Sequence, residues 1–539
     1  MKIGILKCLF FFLSINVLAQ QDAWIYFVDK EDVQASIEHP ITILSQKAID
    51  RKIAHGVAID ERDVPVNEAY IEMLKNSTGI QVKAKSKWFN AIHVQGSFSD
   101  IESLKSLNFV SHVIYADAQL GTGKTLKSKS KFMTGQVVVD FNYGNSWNQI
   151  AMFRGDKLHQ RRYTGSGITI AVLDAGFPNV NQMSAFKHLR DAGKLLGSYH
   201  FVNREVDVFN NATSNHGTLV LSTMAGLKEN QFVGTAPDAS YYLFVTEDAT
   251  SETPIEESYW VEAAERADSL GVDIINTSLG YTTYDNSSYG YTPADMNGNT
   301  TFITRGANIA FEKGMLLVTS AGNSGSPNDA WQIVGAPADA SGVLSVGAVD
   351  ANGNYASFSS KGNEEQPTQK PDVVAQGQRS YVITENDVIA QANGTSFSSP
   401  ILAGGVACLW QALPEKSNAE IMQAVRMSAS QYETPDFFLG YGIPNLEQVL
   451  NTEKLEEWDD QTFVLYPNPI EDKLYVSGIT DDDIESFKMS IFNIQGKFIL
   501  ETPLEITQEY FDLSFLAEGL YIISVETKSF SKTYKMIKQ

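Results

Sequence analysis

Between about residues 146 and 451, unbroken apolar runs alternate with amphipathic stretches. Residues 168–173, 272–275 and 315–318 are short and rich in Ile, Val and Leu, as strands buried on both faces are. Stretches such as 255–270 place apolar residues at helical spacing instead. The alternation predicts an α/β domain over residues 146–451, with a parallel sheet covered by helices on both faces. Upstream, 24–28, 80–85, 91–96 and 110–115 read as strands, and 45–55, 67–75 and 99–107 as helices. Residues 20–118 therefore form a compact α+β unit. Residues 463–539 show short alternating segments, among them 473–476 and 521–525, which predict a small antiparallel β-sandwich.

Three segments carry no such pattern. Residues 1–19 place Lys2 and Lys7 before an apolar run that ends in Val17 and Ala19, the layout of a secretory signal peptide. The run is too short to span a bilayer, and no other stretch reaches the ~18 apolar residues that a spanning helix needs. Residues 119–145 begin with Gly121, Gly123 and four lysines among Ser and Thr, which reads as an exposed, cleavable linker. Residues 452–462 read as an acidic linker.

Charge and cysteine content narrow the function. With 41 Lys and Arg against 64 Asp and Glu, the net charge is −23, which argues against nucleic acid and anionic membrane as partners. The only cysteines are Cys8, in the leader, and Cys408, inside an apolar stretch. An exported mature chain would hold no internal disulfide, and Cys408 is expected to be a buried, inert thiol.

Four motifs carry candidate chemistry. An apolar strand ends in Asp174, at the carboxyl edge of the sheet where α/β active sites gather. Asn215-His216-Gly217-Thr218 opens a helix, and Gly217 allows another chain to approach the ring closely. Asn393-Gly394-Thr395-Ser396 puts a serine at a helix start, where free backbone N–H groups favour negative charge. Ala321-Gly322-Asn323 sets a side-chain amide on a glycine-flanked turn. Taken singly, each has a structural explanation: a strand-end carboxylate, a hydrogen-bonding histidine, a serine N-cap, an Asn turn. Ser398 and Ser399 are rival serines that read as first-turn helix residues.

Together, the ordered Asp, His, Asn and Ser resemble the subtilisins, the S8 serine peptidases. His216 follows Asp174 by 42 residues and Ser396 follows His216 by 180, with Asn323 between them. Gly234-Thr-Ala-Pro237, Phe358-Ser-Ser-Lys-Gly362, Lys370-Pro-Asp372 and Gly440-Tyr-Gly442 extend the likeness. One departure is Ala175, where Ser or Thr usually follows the aspartate.

The resemblance implies a secreted serine endopeptidase, made as an autoprocessed zymogen, with Asp174, His216 and Ser396 as its triad. It implies Asn323 as oxyanion donor, and Ser278, Leu279, Gly280, Ala321, Gly322, Gly335 and Ala338 as the substrate-binding set. Small residues there imply a roomy S1 pocket without fixed charge. Thr246-Glu247-Asp248, with Glu252, Glu256 and Glu257 following, falls where subtilisins line S2 and S4. It is either a solvated acidic loop or a recognition site for Lys or Arg at P2 or P4.

Residues 20–118 occupy the place of a propeptide, a partner that would block the cleft until cut away. Tyr466-Pro-Asn-Pro469, Gly519-Leu-Tyr521 and the lysines of 532–538 resemble a type IX secretion sorting domain. That implies passage through the periplasm, a type IX secretion machinery as partner, and a secreted or cell-surface product. Protein or peptide substrates follow from the activity. No cofactor is required and no metal site stands out. Structural calcium is common in subtilisins, but its ligands here are unknown. Asp295-Met-Asn-Gly-Asn299 starts like a calcium loop, yet Gly306 stands where an EF-hand needs Glu, so it reads as a turn.

The alternatives fit less well. A catalytically inactive surface-binding protein on the same scaffold would lack one of the four residues. An α/β-hydrolase esterase needs Gly-x-Ser-x-Gly, and a zincin needs His-Glu-x-x-His; neither occurs.

Overall fold

The computed structural model describes residues 20–117, 141–210, 212–459, 464–477, 486–494, 497–503, 510–527 and 531–539. The leader at 1–19, most of the linker expected at 119–145, and residues 460–462 lie outside these. The chain divides into two compact units, 1–449 and 450–539.

The first unit opens with a four-stranded antiparallel sheet in the order Gln81–Ser86, Ala91–Ser97, Gln20–Phe27, Val110–Tyr115. Strand period sorts its side chains. Ala23, Ile25 and Phe27 turn to a core shared with Ile71, Leu74, Ile101 and Leu104 of the helices Glu68–Lys75 and Phe98–Leu104. Trp24 and Tyr26 turn the other way, into the core of the α/β domain beside Trp260 and Phe302. Both helices begin as their sequences require: Asn67 accepts from Ala69 N and Tyr70 N, and Ser97 Oγ from Asp100 N.

The α/β domain is built on seven parallel strands in the order Val373–Gln376, Val343–Val349, Leu316–Ser320, Ile274–Thr277, Thr169–Asp174, Ser240–Val245, Leu195–His200. The central strands are buried throughout, which is why their sequences read as continuous apolar runs rather than alternating ones. Ala171, Leu173, Ile275 and Leu317 face the helices Ile255–Leu270 and Phe302–Glu312. On the other face the apolar helix Thr395–Ala412 lies across the four strands from Ile274–Thr277 to Val373–Gln376, with His216–Ala225 beside it.

The second unit has a three-stranded antiparallel sheet (Val464–Tyr466, Lys473–Ser477, Tyr510–Asp512) and a four-stranded one (Phe498–Pro503, Lys488–Asn493, Gly519–Glu526, Ser531–Lys538). Leu474, Met489, Ile491, Phe511 and Ile523 form its core, the sandwich expected from the alternating pattern. The stretch read as an acidic linker differs: the helix Leu446–Asp459 runs through most of it. Leu446, Val449 and Leu450 bury its first turns, and the Glu, Lys and Leu that follow are strong helix formers with no Gly or Pro to stop them.

Candidate active site

Asp174 ends its strand at the carboxyl edge of the sheet and is fully buried. Its Oδ1 accepts from Ala175 N at 2.7 Å and from the His216 ring through Nδ1 at 2.8 Å. Its Oδ2 is buried without a partner, as expected where Ala175 supplies no hydroxyl. His216 is the first residue of its helix. A Cβ on Gly217 would lie 2.6 Å from Gly176 O and 3.0 Å from Asp174 Cβ, so only glycine lets this helix press against the aspartate.

Burial alone would lower the His216 pKa. The charge of Asp174 and its hydrogen bond outweigh that, and hold the imidazole above its ordinary value of 6.5. Asp174 thereby fixes the ring with Nδ1 inward, leaving Nε2 to act.

Ser396 is the second residue of the helix Thr395–Ala412 and is 8% exposed. Its Oγ donates to Ser278 O at 3.1 Å, while Ser278 Oγ donates to Ser396 O at 2.9 Å. Pro400 explains the second bond. Lacking an N–H, it cannot pair with the carbonyl four residues back, which is Ser396 O, and that acceptor is left for Ser278. No described residue accepts from Ser396 N, a first-turn donor facing the site. The rival serines are fully buried: Ser398 Oγ donates to Thr395 O and Ser399 Oγ to Asn276 Oδ1.

Asn323 is held through one end of its amide. Oδ1 accepts from Thr395 N at 2.9 Å and Thr395 Oγ1 at 3.0 Å, so Nδ2 is the end turned to solvent beside Ser396. A pocket of about 160 Å³ lies next to it. Six of the seven expected residues, Ser278, Leu279, Gly280, Ala321, Gly322 and Gly335, line it. Ala338 does not; it packs beneath, with Ala321 and Val334. Thr282, Trp331, Ile333 and Ser360 line it as well. Ser360 belongs to the Phe358–Gly362 motif, but nothing in the sequence marks Thr282, Trp331 or Ile333, because they sit on loops without periodicity. No lining residue is charged, and no described group pairs with the backbone of Leu279 or Gly280, which is left as a free edge.

The acidic loop is not simply solvated. Glu256 and Glu257 are fully buried. Glu257 accepts from the Tyr284 and Tyr291 hydroxyls, each at 2.5 Å, and from Ile303 N, tying loops to helices. Glu256 accepts from Asp248 N and Thr253 N. Glu247, which takes the Tyr281 hydroxyl, approaches Glu252 and Glu256 to within 4.8 Å. Burial, reinforced by neighbouring carboxylates, pushes Glu247 up to about 8; burial and the charge of Glu247 push Glu256 up to about 9.

Elsewhere, Asp295 caps its own turn by accepting from Thr292 N and Oγ1. Cys408 is buried, its Sγ donating to Thr235 O, and burial raises the thiol well above its ordinary value.

Comparison with known proteins assigns families to three parts of the chain. Residues 165–442 match the model of the subtilase family, 22–132 that of a Bacteroidota peptidase S8 propeptide domain, and 464–539 that of a secretion system C-terminal sorting domain. Subtilisin DY of Bacillus licheniformis is 31% identical over 300 residues, covering 55% of this chain and 96% of the relative. Subtilisin E of Bacillus subtilis (strain 168) is 30% identical over 303 residues, 55% of this chain and 69% of the relative. Among solved structures, MycP1 with the N-terminal propeptide removed aligns over 56% of this chain and 96% of its own at 21% identity, with a TM-score of 0.44.

Proposed function

The chain belongs to the subtilase family, a secreted serine endopeptidase with an S8 propeptide and a type IX sorting domain, and on that premise we propose that Asp174, His216 and Ser396 are its catalytic triad. The observation that carries the assignment is the Asp174–His216 hydrogen bond beside a helix-start serine whose hydroxyl lies at the mouth of an uncharged pocket.

On that assignment, the family's chemistry runs through these residues. A peptide strand pairs with the free backbone edge at Leu279 and Gly280 and places its P1 side chain in the pocket. Rotation about χ1 moves Ser396 Oγ from Ser278 O towards His216 Nε2. The oxygen attacks the carbonyl carbon as Nε2 takes its proton, and the Asp174 carboxylate stabilises the imidazolium. The oxyanion is held by Asn323 Nδ2 and the Ser396 backbone N–H. The imidazolium protonates the leaving amine, and water, activated by the same ring, releases the acyl group from Ser396. An inactive, purely binding role has no support in the family matches. Structural calcium is compatible with the family, and no step above passes through it. The sorting domain directs export, with the type IX machinery as its partner.

Asn323→Ala is expected to lower kcat by about 10²–10³ with little change in KM, the scale known for the equivalent subtilisin donor, because the amide meets charge that exists only in the transition state. Steady-state kinetics on one peptide amide decides this; a rise in KM at constant kcat would assign Asn323 to ground-state binding.

Specificity divides by subsite. Trp331, Ile333 and Leu279 around an uncharged pocket favour Leu, Phe or Met at P1 over Ala, by about 1.5–3 kcal/mol if burial is complete. At P2 or P4 the acidic loop acts through Glu247 and Glu252, since Glu257 is taken up by its tyrosines. Burial and the neighbouring carboxylates hold Glu247 above the ordinary carboxylate range, so its negative charge grows as pH rises. A Lys or Arg preference at P2 or P4 should therefore grow from pH 7 to pH 9 and weaken with salt. Values of kcat/KM for a peptide series at both pH values test it. A basic P1 preference, or a P2/P4 charge effect that fades as pH rises, would contradict the assignment.

A further inference from the structure

Between the first propeptide strand and the helix Glu68–Lys75, the chain makes an arm, residues 28–66, whose two ends stay on the propeptide unit (Val28 N donates to Phe109 O, and Val66 lies in its core) while the helix between them docks on the α/β domain. Its helix Gln46–Ala54 starts at Ser45, whose N–H donates to Ser269 O and whose Oγ accepts from Ala48 N. It sits so close to Gly271 that a Cβ there would lie 2.6 Å from Ala48 N; with φ at +79°, only glycine suits the position.

The face of this helix is basic. Lys47 Nζ donates to Asp273 Oδ2 and Thr169 Oγ1, both at 2.6 Å. Arg51 donates to Val272 O and to Asp268 Oδ1. Lys52 Nζ lies 2.8 Å from Asp268 Oδ1 and 3.1 Å from Asp63 Oδ1. The exchange also runs the other way: Lys313 of the α/β domain reaches Asp63 at 2.7 Å and Asp60 at 2.9 Å, and Arg62 of the arm reaches Glu312 at 2.8 Å. Lys52, Asp63, Asp268 and Lys313 are all fully buried.

Two features give this contact a role. First, its charges balance only when the two halves meet. The arm brings four cations and two carboxylates; the α/β domain brings three carboxylates and one lysine. Apart, each half carries an excess of two charges that only water compensates; in the docked pair, removing one partner leaves the other buried and unpaired, which is costly. Second, the contact is far from the cleft. Asp273 and Thr169 stand at the amino ends of strands whose carboxyl ends lead to Ser278 and Asp174, about 16 Å away at strand rise. Cutting the chain between 117 and 141 leaves every one of these bonds intact.

We propose that residues 28–66 are an ionic latch, docking on an acidic notch formed by Asp268, Asp273 and Glu312 with Lys313, which keeps the propeptide seated after cleavage. Latency then outlasts the cut. Removing a buried charge partner acts chiefly on dissociation. The vacated notch recognises a helix with Lys, Arg and Lys at i, i+4 and i+5, so the enzyme selects its own propeptide over others that lack the arm. The inference rests on residues 20–118 being a propeptide that is cut from the enzyme.

The test uses the full chain, purified, allowed to cleave itself, and followed by gel filtration and peptide hydrolysis. The R51M/K52M chain should lose its cleaved propeptide about a hundredfold faster than wild type and gain full activity correspondingly sooner. Both residues leave with the propeptide, so the released enzymes are identical in sequence and their final kcat/KM must agree. If that double variant fails to fold, K47Q/R62Q removes only the partly exposed pairs and should still shorten retention severalfold. Release at the wild-type rate in the chain that folds would overturn the latch and leave the propeptide reading standing. A wild-type chain that never separates between 117 and 141 would overturn the propeptide reading, and the latch with it.

Discussion

Replacing Ser396 with alanine is expected to lower kcat by about 10⁶-fold, the scale of nucleophile loss in subtilisin itself, and to leave the chain uncut between 117 and 141. The size follows from the surroundings. Of the nearby hydroxyls, Ser398 and Ser399 are sealed inside the helix on Thr395 O and Asn276 Oδ1, and Ser278 Oγ is committed to Ser396 O. None of these three described oxygens is free to attack. Asn323 and the backbone N–H remain, so the variant should still bind peptide with nearly the wild-type affinity and retain a residual rate above that of water. Gel analysis of the full chain, with hydrolysis measured on a peptide amide, gives both readouts at once. Substantial hydrolysis by the alanine variant, or a normally cut chain, would contradict the role of Ser396.

Asp174→Asn is expected to cost about 10⁴ in kcat near neutral pH, the loss known for the same change in a serine protease triad. The amide preserves volume but can donate to Nδ1, favouring the wrong tautomer. It also removes the charge that holds His216 above 6.5 against burial. Catalysis needs neutral His216, so wild-type activity should rise with pH along a limb above 6.5. In the variant, burial acts unopposed, and the limb should move below that value although its ceiling is far lower. The stability consequence has the opposite sense: a raised histidine pKa stabilises the fold below about 6.5, and that contribution disappears as pH climbs through the folded value. A pH–rate profile with an unmoved limb would mean that Asp174 does not govern the imidazole.

Much of this was legible in the sequence, for identifiable reasons. The central strands are buried on both faces, so 168–173 and 272–275 show as unbroken apolar runs. Asp174 and His216 are marked by glycines whose need is steric, since at Gly217 a side chain would strike Gly176 O, and Ser396 by Gly394, whose φ of +149° favours glycine. The pocket wall was less visible. Trp331 and Ile333 lie on a loop with no period, and only tertiary placement brings them to Ser278 and Asn323. Ala338 looked equivalent to Gly335 but is covered by Ala321 and Val334. The acidic residues after Thr246 look uniform in sequence, yet folding divides them: Glu257 is enclosed by tyrosines, while Glu247 and Glu252 stay near the surface. Lys47, Arg51 and Lys52 lie in a segment that reads simply as a helix, because partners in the α/β domain 122 or more residues away in sequence leave no local trace.

Labelling with a fluorophosphonate tests the triad most directly, because the reagent reports only a serine activated by a neighbouring base and oxyanion donors. The matured enzyme should take up one equivalent, mapped by peptide mass spectrometry to Ser396, and uptake should fall sharply in Asp174→Asn and vanish in Ser396→Ala. Label on Ser278, Ser398 or Ser399, or undiminished labelling of the Ser396→Ala chain, would contradict the account.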